Sequence, residues 1–383
     1  MNEKRKFLNK TKSMFYDEIK KYQNELIPTK EISGFGSMPI VGEKNYPNLN
    51  IHNISNSEIS NSYLNSSNVV KKDYSEIVKL KAKNILGSTN KIYVKDVNDR
   101  INTELLDIYK SKKLVEFSSK FENELKFNKI VVDKIAGIGG SKNELISLKA
   151  NENISTSKQI EKYSNEDIKS KEAIISLYEK GINEHQIINL LALGNFGIQI
   201  NKKLVPTKWA ISVYDQIIEK YLYQKITKFN CINNYEIYYY EDKGNFFLVI
   251  LFPEVFSCEI IEQFDEILEQ DYVSNNNKLN KSEPETAGGF WASKLAIQEY
   301  LYKRKKQASY ISIRIIDGYD IPLGVVFVRE SLRETMKKMI FKSSNLKEVE
   351  EFLKQNYFKH FIYFKKSKLL YNLNTQKKLN EFI

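Results

Sequence analysis

Tyr235-Glu236-Ile237-Tyr238-Tyr239-Tyr240-Glu241-Asp242-Lys243-Gly244-Asn245-Phe246-Phe247-Leu248-Val249-Ile250-Leu251-Phe252-Pro253 is the stretch that decides the fold class. Aromatic and β-branched residues fill Tyr235–Tyr240 and Asn245–Phe252, the composition of two strands. Asp242-Lys243-Gly244 supplies the turn chemistry of a hairpin between them, and Pro253 stops the second strand. Further strands are expected at 310–316 and 322–328. Helical spacing predicts helices over 258–269, 287–306, 329–341 and 346–356, with an Asn/Lys loop at 273–284. Upstream, a helix from Thr207, its expected N-cap, runs to about Tyr223. Helices over 171–180 and 183–193 are stopped by Gly181 and Gly194. The expectation is an α+β protein: a mixed N-terminal region, a helical middle, and a C-terminal mixed sheet with flanking helices on one side.

The first half is less regular. Helical spacing covers 11–26, 74–87 and 100–119, residues 128–134 read as a strand, and Gly137–Ser141 as a glycine loop. An Asn/Ser-rich stretch to Asn68 reads as a loop or insertion. Residues 149–170 are almost all polar, a linker or long surface loop. The resulting organisation is an N-terminal region 1–148, this linker, a C-terminal region 171–370 and a flexible tail 371–383.

Composition narrows the class of function. The 383 residues are 42% apolar, enough for a core, and carry a formal charge of +11. That surplus favours a polyanionic partner such as nucleic acid. The longest purely apolar run, Phe246–Phe252, is far too short for a bilayer, which takes about 20 residues as a helix, so no membrane partner is expected. The N-terminus shows no secretory pattern. The two cysteines, Cys231 and Cys258, form no CxxC and point to a reducing cytosol. The histidines are His52, His185 and His360, too sparse for a usual zinc site. There is no P-loop, Rossmann fingerprint or HExxH. No cofactor is therefore expected, and a divalent metal would enter only with an enzymatic activity.

Four constellations carry candidate function. The C-terminal Gln376-Lys377-Lys378-Leu379-Asn380-Glu381-Phe382-Ile383 fits the sliding-clamp-binding box. One helical turn puts Leu379 and Phe382 on one face, with Ile383 in the last slot and Gln376 hydrogen-bonding beside them. The alternative is a final amphipathic turn packed on its own domain. The 171–215 block resembles a helix-turn-helix in outline, with Lys202, Lys203, Lys208 and Trp209 near the start of its third helix, where phosphate is attracted; a helical bundle with a lysine-rich surface is the slightly favoured reading. The helix over 287–306 opens on Ala287-Gly288-Gly289, which permits close approach of a ligand or another element. It ends on Tyr302-Lys303-Arg304-Lys305-Lys306, where Arg304 and Lys305 are candidate phosphate contacts. Arginine is scarce beside so much lysine, so Arg314 and Arg329, in or after buried-looking strands, each need a carboxylate or an anionic ligand. For acid/base or metal work the candidates are Asp215, Glu299 and Glu330, with Glu283, Glu285 and Glu334 behind them.

Three blocks resemble the archaeal Nre family: Gly36-Ser37-Met38-Pro39-Ile40-Val41-Gly42 with Tyr46-Pro47-Asn48-Leu49-Asn50; Lys203-Leu204-Val205-Pro206-Thr207-Lys208-Trp209-Ala210-Ile211-Ser212 with Asp215; and Ala287-Gly288-Gly289-Phe290-Trp291-Ala292 through Glu299-Tyr300-Leu301 to Pro322-Leu323-Gly324-Val325 and Val328-Arg329-Glu330. The resemblance covers about 30–340, and the C-terminal clamp box belongs to the same family pattern. It implies a cytoplasmic, nucleoid-associated DNA-repair factor that binds the sliding clamp PCNA by its tail and DNA by basic surfaces. The alternative it leaves is a clamp-recruited nuclease or nucleotide-modifying enzyme. Many members carry an N-terminal cysteine-rich zinc motif; residues 1–30 here hold no cysteine. A glycine expected soon after the Tyr-Pro-Asn string is replaced around His52-Asn53, and a Gly-Pro-rich string before 150 is represented only by Gly137–Ser141.

Overall fold

A computed structural model describes residues 29–35, 38–55, 70, 72–73, 75–77, 85–125, 131–133, 137–139, 141–150, 154–279, 283–318 and 323–375. The helix expected at 11–26, most of the Asn/Ser-rich stretch and the tail 376–383 lie outside them. The chain is α+β, as expected, and divides into two compact units: Met1–Ile218 with Asp320–Gly324, and Glu219–Tyr319 with Val325–Ile383.

In the first unit the strands are β1 (Glu31–Phe35), β2 (Met38–Val41), β3 (Asn48–Leu49), β4 (Ile51–Ser55), β5 (Ile85–Ser88), β6 (Ile92–Tyr93), β7 (Glu116–Phe121), β8 (Val131–Asp133), β9 (Gly137–Gly139) and β10 (Ser141–Ala150). Six of them form one sheet in the order β1-β7-β10-β5-β4-β2, while β3 pairs with β6 and β8 with β9. β10 joins the halves of the sheet: its start runs parallel to β5, its end antiparallel to β7, with a register shift between Leu145 and Ser147. Residues 85–87 and 116–119, expected as helix, are therefore strand, and of the expected glycine loop Gly137–Gly139 and Ser141 are strand. The β5 and β7 main chains pair with strands distant in sequence, and Ile85, Leu86 and Phe117 are buried there.

The helices of this unit are α1 (Arg100–Lys110), α2 (Lys158–Asn165), α3 (Ser170–Glu179) and α4 (Glu184–Ala192). Asp99 Oδ1 accepts from the Ile101 and Asn102 amides, and Asn183 Oδ1 from the His185 amide, satisfying donors that the first turns of α1 and α4 leave open. Residues 149–170, expected as linker or surface loop, hold the end of β10 and helix α2, with Ile160 and Tyr163 buried.

Helix α5 (Thr207–Ile226) contains the division between the units. Thr207 is not its N-cap. The Pro206 carbonyl accepts from the Trp209 and Ala210 amides, and Thr207 Oγ1 accepts from the Val41 amide instead.

The second unit holds a six-stranded sheet, β14-β13-β15-β12-β11-β16. Its strands are β11 (Tyr235–Asp242), β12 (Asn245–Phe252), β13 (Cys258–Phe264), β14 (Ile267–Val273), β15 (Ser309–Ile316) and β16 (Met339–Ser343), and only β13 and β15 run parallel. The β11–β12 hairpin closes between Asp242 and Asn245, with Lys243 and Gly244 both at positive φ (49° and 68°), a turn whose twist matches its strands. Residues 258–269 are a hairpin, not a helix. Ile260, Ile261, Phe264, Ile267 and Leu268 have helical spacing, but the free edge of β15 captures the segment as β13.

Helices α6 (Gly288–Arg304), α7 (Gly324–Thr335), α8 (Leu346–Asn356), α9 (Phe358–Lys365) and α10 (Lys368–Thr375) complete the unit. Residues 324–328, expected as strand, begin α7, and the helix expected to 341 ends at Thr335, ahead of β16. Both sheet faces are covered, where one was expected. Leu248, Ile250 and Phe252 pack with Val349, Leu353, Phe364, Leu369 and Leu370 of α8–α10. Phe247 instead faces Phe327 of α7, and Tyr238 faces Tyr300 of α6. That explains why Phe247–Phe252 is apolar without alternation. Glu259, buried on β13, ties α10 down by accepting from the Lys368 and Leu369 amides and from Ser367 Oγ.

Candidate functional site

Two of the three distinctive sequence strings meet on the surface of the first unit. Val41 at the end of β2 donates its amide to Thr207 Oγ1 (2.8 Å), a buried bond across 166 residues. The loop after β2 folds back through Gly42 N to Asn50 O (3.0 Å), and Asn45, at φ 67°, turns it so that Asn48 N reaches Asn45 O. The Pro47 carbonyl then accepts from Val94, and the Val94 carbonyl from Leu204. The Tyr46–Asn48 turn, the β6 segment and the approach to α5 are thus laced into one surface by main-chain bonds.

The side chains on that surface are aromatic and cationic. Tyr46 and Trp209 lie 5.5 Å apart, tilted by 43°, and stay 46% and 43% exposed. Tyr93 pairs across β3–β6 with Asn48 and is 49% exposed. In Lys91-Ile92-Tyr93-Val94-Lys95 the isoleucine and valine are buried while the lysines and the tyrosine face water, the alternation of a strand with one wet face. Lys44, Lys203 and Lys208 are exposed as well. Lys208 sits 3.6 Å from Glu43, a pair open to solvent and so worth little. Asp96 follows Lys95 in the chain, and Asp99 is engaged in capping α1, so lysines outnumber the acidic side chains of these segments.

Of the expected contacts, Lys203, Lys208 and Trp209 belong to this surface. Lys202 turns inward and donates to the Ser164 carbonyl (2.6 Å); burial, then the charge of Lys110, lowers its pKa. Tyr46, Tyr93, Lys44 and Lys95 were not among the expected residues. The alternation at 91–95 was the legible signal for Tyr93 and Lys95.

Of the remaining candidates, Arg304, Arg314, Glu299, Glu330 and Glu334 are in ion pairs of the second unit, while Asp215 is fully buried on α5 in the first. Arg304 makes a two-pronged pair with the buried Glu236 (2.5 and 3.0 Å) and also reaches Tyr300 Oη. Burial pushes the Glu236 carboxyl up, but the hydrogen bonds from Arg304 and Tyr238 outweigh it and the pKa falls below the ordinary value. Lys305, at φ 52°, ends α6 and is exposed. Arg333 holds Glu299 through two bonds (2.8 and 2.9 Å) and Glu330 through a third (2.6 Å). Arg329 is fully buried. Arg314 has its carboxylate in Glu262 (3.2 Å) and donates twice to Asn245 Oδ1. Glu334 pairs with Lys337, Glu285 accepts from the Gln270 amide, and Glu283 is exposed. The small residues opening α6 admit protein: a Cβ on Gly288 would lie 2.5 Å from Val325 Cγ2, and one on Gly289 2.6 Å from Glu262 Oε1. Among the described residues, no group of three or more His, Cys, Asp or Glu is placed to hold a metal ion. No helix among them is long and apolar enough to cross a membrane. The clamp-box residues Gln376, Leu379, Phe382 and Ile383 lie outside the described residues.

Comparison with known proteins gives two family matches: archaeal Nre, N-terminal, over residues 12–266, and archaeal Nre, C-terminal, over 275–382. Among individual proteins, the chain is 33% identical over 187 residues to DNA repair protein NreB of Archaeoglobus fulgidus (46% of this chain, 47% of that one). It is 30% identical over 199 residues to DNA repair protein NreA of the same organism (50% and 51%). It is also 30% identical over 188 residues to DNA repair protein NreA of Haloferax volcanii (45% and 44%). The matched stretch thus spans about half the length of these relatives. No solved structure matches the chain significantly.

Proposed function

We propose, from the premise that the chain belongs to the archaeal Nre family, that it is a DNA-repair factor brought to DNA by the sliding clamp PCNA. In this reading residues 376–383 dock on the clamp, Leu379 and Phe382 filling its apolar pocket and Gln376 hydrogen-bonding beside them. The body then contacts DNA through basic surface. The names of the relatives support a repair role. The observation that carries the DNA contact is the exposed surface where Lys203, Lys208 and Trp209 join Tyr46. Ionic networks within the protein occupy Arg304, Glu299 and Glu330, so the surface of the first unit is the better place for a polyanion.

Calorimetric titration of the full chain into the host's sliding clamp tests the tail. Micromolar binding lost on deletion of 376–383 or on Phe382→Ala, with an unchanged melting curve, is the expected result. Equal binding by the truncated chain would refute the assignment.

A further inference from the structure

We infer that Tyr46 and Trp209 form a stacking platform for unpaired bases, so that the DNA taken by the first unit is single-stranded. The inference rests on the proposed DNA contact and specifies its substrate class. Its basis is geometric. The two rings are held from segments far apart in the chain by the buried Val41–Thr207 bond and by the turn at Asn45, yet each remains nearly half exposed. Hydrogen-bonded main chain beneath exposed rings suits a stacking surface, since less ordering is left to do when a base arrives. Tyr93, on the same laced surface, offers a further ring.

Duplex DNA has no free base faces to offer such rings, because each base is already stacked on its neighbours. A single strand does, and base–aromatic stacking tolerates any sequence because every base has a π-face. Lys44, Lys91, Lys95, Lys203 and Lys208, exposed on the same hydrogen-bonded segments, suit a phosphate backbone tracking past the rings. The same lysines argue against a protein partner, since lysine is depleted from protein–protein interfaces.

The test is fluorescence anisotropy of the full chain with a labelled oligothymidylate of about 12 nucleotides, within the usual site size, and with a duplex of equal length, over a salt series. Tryptophan emission is followed in parallel. The single strand binds more tightly than the duplex and quenches the emission. Trp209→Ala weakens binding of the single strand roughly 10- to 100-fold, Tyr46→Ala does so comparably, and Trp209→Phe stays within a few-fold of the parent. Lys203→Ala and Lys208→Ala each flatten the salt dependence, by about 0.7 in the log–log slope for each phosphate the lysine neutralises. Thermal melts confirm that the variants fold, as the exposure of both rings predicts. Equal affinity for the two DNAs with Trp209→Ala silent overturns the platform and leaves the basic-surface reading standing. No binding of either DNA at low salt overturns the DNA contact itself and leaves the patch to a protein partner.

Discussion

His360 gives the second unit a calculable pH dependence. It lies on α9, 5% exposed, with its ring edge-on to Tyr239 and Tyr357. Its Nε2 is 3.3 Å from the Phe246 carbonyl, where the neutral ring donates. Burial drives its pKa down from 6.5 to about 4; the bond to Phe246 opposes the fall and Lys359 adds to it. The folded chain therefore resists a proton that the unfolded chain accepts. The stability tied to the neutral ring is complete above pH 6.5 and is lost as pH falls from there toward 4. Linkage gives a loss of about 1.4 kcal/mol at pH 5.5 and about 2.6 kcal/mol at pH 4.5. The perturbation is His360→Phe, which keeps the edge-on packing and removes the titration. Urea denaturation of both proteins across that window, taken as a difference, cancels every other titrating group. The variant should gain on the parent by roughly 2–3 kcal/mol between about pH 7.5 and about pH 4.5. A difference that stays flat within about 0.5 kcal/mol would show that His360 accepts its proton in the folded state, and the burial argument would fail.

Two further outcomes follow from the second unit. Lys294 and Glu219 form a fully buried pair at 3.1 Å, with Asn277 and Gln298 completing their hydrogen bonds. Lys294→Met should cost about 3–5 kcal/mol in urea melts, because it leaves a buried carboxylate unpaired. Adding Glu219→Leu should recover part of that loss, and strict additivity of the two changes would refute the pairing. Gly244→Ala should destabilise by roughly 1–3 kcal/mol, since φ is 68° and the new Cβ would lie 2.5 Å from the Asp317 carbonyl oxygen; an unchanged melting temperature would contradict the turn geometry.

Whatever depends on neighbours in the chain could be read from the sequence alone. The Asp242-Lys243-Gly244 hairpin, the continuous apolar strand after it, the helices over 171–180 and 183–193 stopped by glycine, and the long helix from residue 288 are all local in origin: turn chemistry, period and capping within a few residues. The family was legible too, because its strings are unusual in themselves. Tertiary structure decided the rest, wherever the deciding partner is far away. Residues 258–269 carry a helical pattern and became part of the Cys258–Val273 hairpin because β15, some fifty residues on, offered an edge. The same distance effect governs the charges. Glu236 is 68 residues from Arg304, Glu262 is 52 from Arg314 and Glu299 is 34 from Arg333. No local rule tells a paired arginine from one available to phosphate. Lys202 and Lys203 are adjacent in sequence, yet one is bonded inside and the other faces water. The Tyr46–Trp209 pair was hidden for the same reason: two aromatic residues become one surface only when a threonine hydroxyl and a main-chain amide 166 positions apart find each other.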